Sequence, residues 1–283
     1  MPGEPAPLVV RLLADPVRWR LMRELAHGDQ RVRELVAVLG LPQNQVSYHL
    51  RQLRDGGLVT ARRSSLDARD TYYSLDLASC SRALSGAASA LHPGLVLPPA
   101  VAGDRPAGEG RPADTGHPAD EGGRADGGRR TGAGAAPRRV LFVCTGNSGR
   151  SPMAAALLAH RAGPVVRTAS AGIRPRPLRP EAAAVMRDRY RIDISGHRPA
   201  QVGAMTGQRF DYVISLCDKA RDRCPEFASS PRRMHWSMPD PAAAEGALAG
   251  YPAFERTAAE LDTRIRFLLP ALGATAGDAE PGF

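Results

Sequence analysis

The stretch Arg138-Arg-Val-Leu-Phe-Val-Cys-Thr-Gly-Asn-Ser-Gly-Arg-Ser151, which Pro152 follows, decides the fold of the second half of the chain. Residues 140–143 form a wholly apolar, β-branched-rich run, which predicts a buried strand that ends at Cys144. Two glycines lie between Cys144 and Arg150. Pro152 predicts a helix start because proline suits the first helical turn. The pattern is therefore a strand, a Cys-x5-Arg loop and a helix.

This pattern has a chemical meaning. Backbone N–H groups of a tight glycine-containing loop, with a helix N-terminus behind them, form a cradle for a tetrahedral oxyanion. Arg150 would close the cradle with its forked guanidinium. A cysteine at the start of the loop lies in this positive field, which favours its thiolate, so we interpret Cys144 as a nucleophile. The predicted oxyanion-binding residues are Thr145, Gly146, Asn147, Ser148, Gly149 and Ser151.

From residue 138 onward the predicted strands and helices alternate, which is typical of an α/β domain with a parallel sheet. The expected strands are 140–143, 165–169, 211–216 and 234–237, and the expected helices are 151–162, 180–190 and 252–271. Ligands of such sheets bind at the carboxyl ends of the strands. Cys144, Cys217 and Asp240 each follow a predicted strand, so we expect them to face one crevice.

At Cys144 to Ser151 the chain resembles the low-molecular-weight protein tyrosine phosphatase superfamily, which includes the thioredoxin-coupled arsenate reductases. The resemblance implies a four-stranded parallel sheet, no bound cofactor, and Asp240 as general acid or base. The family positions that shape the loop and support the thiolate are matched by Asn147, Ser151 and Ser170. Some relatives bind potassium through a glutamate at the position of Ala155, so we predict no cation here.

The branch of the superfamily depends on Cys217 and Cys224. A phosphatase needs one thiolate, whereas a reductase must deliver two electrons to As(V) and needs further thiols. The spacing of the two cysteines, and the proline after the second, resemble the reductases. Phosphatases usually carry aromatic residues after the Asp-Pro pair, where this chain has alanines at 242–244.

The resemblance implies a three-step relay. Cys144 attacks arsenate with Asp240 assisting the departure of an oxygen, Cys217 displaces arsenite from Cys144, and Cys224 takes over the disulfide. Thioredoxin is the expected electron donor.

The first 95 residues have a different order of elements. Asp15-Pro16 is a helix cap followed by proline at the first helical position. Predicted helices at about 31–39 and 43–55 are joined by a tight turn, which is typical of a helix-turn-helix whose second helix enters the major groove. The predicted strands 58–63 and 71–75 then form a hairpin, and a helix is expected at about 77–91. We predict a mainly α, winged helix-turn-helix domain.

Residues 41–59 resemble the recognition helix and wing entry of the ArsR family of dimeric repressors. The resemblance implies binding to operator DNA and dimerisation through the first and last helices of this domain. The candidate DNA-contacting residues are Gln43, Asn44, Ser47, Tyr48, His49, Arg51, Arg62 and Arg63. Many arsenic-sensing members carry two cysteines where this chain has Val36 and Val38. Cys80, the one thiol of this domain, is either a core residue or an arsenite ligand.

The chain has 283 residues and a net charge of +9. Two domains are predicted, at residues 1–95 and 138–283, joined by a Pro-, Gly- and Ala-rich linker at 96–137 that cannot form a core of its own. No apolar run is long enough to cross a membrane, and no signal peptide is apparent, which indicates a cytoplasmic protein. Four cysteines in a reducing compartment suggest chemistry rather than structural disulfides.

The sequence thus predicts an ArsR-like repressor fused to an arsenate reductase. Two alternatives remain. The first is a tyrosine phosphatase on a DNA-binding module, and the second is a regulator whose phosphatase-like domain binds an oxyanion without catalysis.

Overall fold

The computed structural model describes residues 5–95, 136–229, 231–246 and 249–274. The predicted linker lies almost wholly outside these residues. The chain folds around two apolar cores, one formed by residues before position 95 and one by residues after position 138. The prediction of two folded units, a winged helix-turn-helix and an α/β unit with a parallel sheet, is confirmed.

Within residues 5–95 the N-terminal unit contains five helices, α1 (Leu8–Leu13), α2 (Pro16–Leu25), α3 (Val32–Leu39), α4 (Gln43–Asp55) and α5 (Leu77–Leu91). The side chain of Asp15 caps α2 by accepting hydrogen bonds from the backbone of Val17 and Arg18 at 2.9 and 3.0 Å. Gly40 ends α3 in the left-handed conformation, with φ of 66°, which makes the tight turn into α4 possible.

Three short strands complete this unit: β1 (Gln30–Arg31), β2 (Val59–Arg63) and β3 (Thr71–Leu75). β2 and β3 form the predicted antiparallel hairpin, which we call the wing, together with its loop 64–70. β1 pairs with the other side of β3 and was not predicted, because two residues are too few to show a pattern.

The C-terminal unit contains the predicted four-stranded parallel sheet. The strand order is β5 (Val166–Gly172), β4 (Arg138–Cys144), β6 (Tyr212–Ser215) and β7 (Arg232–His235). Residues 140–143 of β4 are completely buried because β4 is a central strand with both faces covered. This central strand delivers Cys144 to the carboxyl end of the sheet.

Four helices surround this sheet. They are α6 (Arg150–Ala162), α7 (Pro180–Tyr190), α8 (Asp218–Arg223) and α9 (Tyr251–Leu268). α9 packs against both α6 and α7, and α8 packs against β4 and β6. The predicted helices at 151–162, 180–190 and 252–271 correspond to α6, α7 and α9. The six-residue α8 was not predicted, and it lies between Cys217 and Cys224.

The two units touch through buried hydrogen bonds and through the rings of Tyr72 and His235, whose centroids are 4.8 Å apart. The backbone N–H of Asp29, between α2 and β1, donates to the carbonyl of His235 at the end of β7, at 2.7 Å. Asp29 is buried and its carboxylate accepts from Ser237 N and from Arg264 of α9. The loop of the wing lies against the start of α8. The N-terminal unit therefore sits beside the carboxyl end of the sheet.

Candidate active site

The Cys-x5-Arg loop joins β4 to α6, as predicted. The carbonyl groups of Cys144, Thr145, Gly146 and Ser148 all accept hydrogen bonds from backbone N–H groups of the segment 173–179, at 2.8 to 3.1 Å. With its carbonyls held on that side, the loop is left with N–H groups for the interior of the turn, at the N-terminus of α6. This arrangement suits an oxyanion.

Asn147 connects the loop to several other elements through its side chain. It is fully buried and adopts a left-handed conformation, with φ of 49°, which asparagine tolerates better than most residues. Its side-chain N–H group donates to the hydroxyls of Ser151 and Ser170 at 3.0 and 2.9 Å. Its side-chain oxygen accepts from Ala200 N at 2.8 Å. The loop shape is thus fixed by several elements at once.

Cys144 lies at the centre of this cradle and is buried. Its sulfur is 3.0 Å from the hydroxyl of Ser151 and accepts a hydrogen bond from the backbone N–H of Asn147 at 3.2 Å. Both groups can donate to a thiolate, so they can hold the sulfur as a nucleophile beneath a bound oxyanion.

Arg150 and Asp240 meet on the other side of the cradle. The guanidinium of Arg150 donates to the carbonyl oxygens of Met238 and Pro239 and lies 3.4 Å from the carboxylate of Asp240. Arg150 is 6% exposed, whereas Asp240 is 50% exposed. A buried cation and an accessible carboxylate are thereby placed at one opening, where an oxyanion and its leaving oxygen would lie.

Cys217 lies within reach of the same loop. Its sulfur is 3.2 Å from the hydroxyl of Thr145, the residue after Cys144. Burial raises the pKa of the Cys217 thiol, against the opposing effect of Arg150, and burial also raises the pKa of Cys224. Cys217 is buried and Cys224 half-buried, and both cysteines are free thiols.

A cavity of about 1030 Å³ opens over these groups. It is lined by Cys144, the loop, Arg150, Cys217 and Asp240, so four of the five predicted catalytic residues are brought together. The fifth, Cys224, lies outside this cavity at the other end of α8. Cationic side chains of Arg176, Arg179 and Lys219 also line it, which suits an anionic substrate. Ser65 and Leu66 of the wing complete one side.

Residues 139–277 match the family described as low molecular weight phosphotyrosine protein phosphatase. The matched range includes the loop, Arg150 and Asp240 of the site just described. The chain belongs to this family. Residues 15–61 match the family described as bacterial regulatory protein, arsR family, so the phosphatase-family domain follows an ArsR-family helix-turn-helix domain.

Curated relatives of the phosphatase-family domain are named arsenate reductases. Arsenate reductase 1 of Staphylococcus haemolyticus is 33% identical over 129 residues, which are 46% of this chain and 92% of that protein. The arsenate reductase of Halalkalibacterium halodurans is 36% identical over 128 residues, 45% of this chain and 91% of that protein. A solved structure described as an arsenate reductase in oxidized state is 25% identical, with a TM-score of 0.42, and covers 48% of this chain and 98% of that one.

The predicted DNA-contacting residues separate into two groups. Gln43, Asn44, Tyr48 and Arg51 are exposed along α4 with Ser47 partly exposed, and Arg63 is exposed on the wing. His49 is instead buried on the inner side of α4, 3.7 Å from the carboxylate of Asp15. Arg62 is half-buried beside the C-terminal domain, where burial lowers its pKa despite the nearby carboxylates of Glu260 and Asp29. The periodicity of α4 could not place His49, because it lies at the border of the two faces.

Cys80 is half-buried and its thiol donates to the carbonyl of Leu58 at 3.3 Å. Burial raises its pKa to about 11. Within the described residues no three His, Cys, Asp or Glu side chains converge on a common metal position. None of the helices in the described parts of the chain is long and apolar enough to cross a membrane.

Several residues of the site were missed by sequence reasoning. Gly172 at the end of β5 touches the loop, and His197 lies 3.1 Å from the carbonyl of Asn147. Asp218, at the start of α8, is buried among hydrogen-bond donors. A glycine three residues after the predicted strand 165–169 is a usable signal for close backbone contact, but His197 and Asp218 carry no such signal in the sequence.

We expect Gly172→Ala to weaken oxyanion binding. A Cβ at Gly172 would lie 2.8 Å from the backbone nitrogen of Asn147, so the loop must move. Affinity for inorganic phosphate, measured by isothermal titration calorimetry, should fall about tenfold or more, a loss of ~1.4 kcal/mol. Gly203→Ala is the matched control because nothing lies near its Cβ position. Equal phosphate affinity in the two variants would contradict this account of the loop.

We also expect Cys217 and Cys224 to alkylate only at high pH. Burial raises both pKa values above the ordinary 9.0, so each thiol stays protonated in the folded protein to a higher pH than in the unfolded chain. The resulting contribution to stability is complete below 9.0 and is lost as the pH rises beyond it. Iodoacetamide labelling against pH, read by peptide mass spectrometry, should give native midpoints above those in urea. Native midpoints at or below the urea values would show that burial does not control these thiols.

Proposed function

We propose that the C-terminal domain reduces arsenate to arsenite through a relay of three thiols, and that the N-terminal domain binds operator DNA. The observation that carries the enzymatic proposal is the position of Cys217 beside the Cys144 loop, through Thr145. Hydrolysis of a phosphoryl group has no use for a second thiol there. The names of the curated relatives point to the same reaction.

In the first step arsenate occupies the cradle, bound by loop N–H groups and by Arg150. The sulfur of Cys144 attacks arsenic and forms an S–As bond. One oxygen leaves as water, with its proton supplied by Asp240, whose exposed carboxylate stands 3.4 Å from Arg150. Arsenic is still As(V) at this stage.

In the second step the thiolate of Cys217 attacks the sulfur of Cys144. A disulfide forms between them, and the electron pair of the S–As bond stays with arsenic, which leaves as As(III) in arsenite. Because Cys217 is buried and its pKa is raised, the attack needs removal of its proton, which the nearby positive charge of Arg150 favours.

In the third step Cys224 attacks Cys217, frees Cys144 and leaves a Cys217–Cys224 disulfide. These residues flank the six-residue α8, and the seven residue steps from one cysteine to the other span about 10 Å at the helical rise. A disulfide requires Cα atoms closer than about 7 Å. α8 must therefore unwind in this step. The disulfide in the unwound segment is the one that thioredoxin would reduce.

The DNA-binding proposal depends on the exposed polar face of α4. Amide, hydroxyl and guanidinium groups of Asn44, Ser47 and Arg51 are the types that read base edges in the major groove. A homodimer through α1 and α5 is part of the proposal, since Leu8, Leu84 and Leu91 of these helices are exposed apolar residues. We assign residues 1–95 to this domain, 96–137 to a linker and 138–283 to the reductase.

A tyrosine phosphatase is the second candidate, because Cys144, Arg150 and Asp240 would serve phosphate ester hydrolysis equally well. The residues after Asp240 argue against it. Pro241, Ala242 and Ala243 form a short turn that lines the cavity and carries no aromatic ring to stack on a phosphotyrosine. The ring of Phe254, which also lines the cavity, is buried.

The decisive measurement is arsenate-dependent NADPH consumption in the presence of thioredoxin and thioredoxin reductase. We expect turnover by the wild type and loss of at least about a hundredfold in Cys217→Ser and in Cys224→Ser, since each variant interrupts the transfer of electrons. Cys80→Ser is the matched control because this thiol lies in the other domain, and its turnover should equal that of the wild type.

If the wild type consumes no NADPH but hydrolyses p-nitrophenyl phosphate, and if Cys217→Ser and Cys224→Ser keep that hydrolysis, the reductase proposal is wrong and the phosphatase is correct.

A further inference from the structure

The wing of the DNA-binding domain is attached to the helix that lies between two of the relay thiols. Asp218, the first residue of α8, follows Cys217 directly. Its carboxylate accepts hydrogen bonds from Ser64 Oγ at 2.8 Å, Ser65 N at 2.7 Å and Ser65 Oγ at 3.1 Å. Three of its donors therefore come from the loop of the wing.

The catalytic domain completes the environment of this carboxylate. His235 Nε2 lies 3.1 Å from Asp218, and Ser237 Oγ donates to it at 2.6 Å. Burial opposes the charge of Asp218, but the donated hydrogen bonds outweigh it and hold the pKa well below the usual range. Asp218 is therefore a buried anion that depends on the wing for much of its solvation.

A second residue of α8 also holds the N-terminal domain. Arg221 donates to the carboxylate of Glu34 at 2.8 Å and to the carbonyl of Asp29 at 3.3 Å. Its guanidinium also lies over the ring of Tyr72 in β3, 5.4 Å from the centroid. α8 thus contacts the wing and the start of α3 together, through two side chains three residues apart.

Other interdomain contacts are made with β7, with the segment after it and with α9. Gly28 approaches β7 so closely that a Cβ would be 2.9 Å from the backbone nitrogen of His235, and its φ of 137° disfavours any side chain. Asp29 then bridges Ser237 and Arg264. These contacts position the N-terminal domain, whereas those of Asp218 and Arg221 join it to α8 itself.

We propose that the docked wing acts as a latch on α8. The wing holds α8 in the helical, dithiol form, and formation of the Cys217–Cys224 disulfide releases the wing. In that reaction two thiols lose two protons and two electrons and gain one S–S bond. The latch rests on the proposed function only for the identity of the oxidant, which would be As(V) through Cys144. Any two-electron thiol oxidant that forms the same disulfide serves to test it.

The release follows from geometry. The disulfide cannot form across an intact α8, so Asp218 and Arg221 must leave their helical positions when it does. The wing then loses three hydrogen bonds to Asp218, and the N-terminal domain loses the ion pair of Arg221 with Glu34. Ser64 and Arg62, which are buried and half-buried in the docked form, become available on the wing.

The coupling is reciprocal, because a contact that stabilises one form of α8 must itself be stabilised by that form. Weakening the docking should therefore favour the disulfide. Ser65→Ala removes a donor to Asp218, and Gly28→Ala forces the N-terminal domain away from β7 without altering a side chain of α8. Arg69→Ala is the matched control, since its exposed side chain lies in the same loop and bonds Asp67 of that loop.

The first test measures the Cys217–Cys224 equilibrium of each full-length protein in glutathione redox buffers, by thiol labelling and mass spectrometry. We expect Ser65→Ala and Gly28→Ala each to shift it about tenfold toward the disulfide, which lowers the two-electron potential by about 30 mV. Arg69→Ala should match the wild type. If neither docking variant differs from Arg69→Ala, the wing does not hold α8 and the proposal is wrong.

The second test measures amide hydrogen exchange in residues 59–75 of the full-length protein, reduced or oxidised with diamide. Diamide takes the two electrons and two protons and becomes a hydrazine, so arsenate is not needed. Faster exchange of the wing in the oxidised wild type, and no change in Cys224→Ser, would support the latch. Unchanged exchange in a protein shown to carry the disulfide would overturn it. Absence of arsenate turnover alone would overturn only the proposed reductase.

Discussion

The site depends on how one short loop distributes its backbone polar groups. Four carbonyls of the loop are bonded to the segment 173–179, so its N–H groups serve the centre of the turn, where that of Asn147 donates to the sulfur of Cys144. The left-handed Asn147 and the close approach of Gly172 both serve this arrangement. Without these inward-facing N–H groups, the space between the buried sulfur of Cys144 and the buried guanidinium of Arg150 would lack the donors that bind an anion. Every proposed chemical step starts from this constraint.

Much of the catalytic domain could be predicted because its signals are local. An apolar run before Cys144, glycines in the loop and Pro152 after it predict strand, loop and helix from neighbouring residues alone. The four parallel strands follow from alternation of elements. Placing Cys144, Cys217 and Asp240 at one edge then needed only the rule that parallel strands end together. The cavity that all three line is the outcome of that rule.

The features that could not be predicted are those created by contacts between distant residues. α8 is polar and six residues long, so no periodicity marks it. β1 exists because β3 offers it an edge. The burial of Arg62 is set by a neighbouring domain rather than by its strand, and this removes a candidate DNA contact from the exposed surface. Ser65 belongs to a loop that reads as an ordinary turn, yet it reaches the catalytic cavity.

The character of the interdomain contact explains why it suits a switch. An interface of buried apolar side chains would be stabilised in proportion to its buried area, and only a large rearrangement would separate the domains. Here, beside the ring contact of Tyr72 with His235, the contact is carried by hydrogen bonds and ion pairs to Asp29, Asp218 and Arg221. Such groups contribute little net stability while they are paired, because desolvation offsets the attraction, but they oppose any arrangement that leaves one of them unpaired. Moving one short helix therefore converts the contact from favourable to unfavourable, and a single disulfide is sufficient to move it.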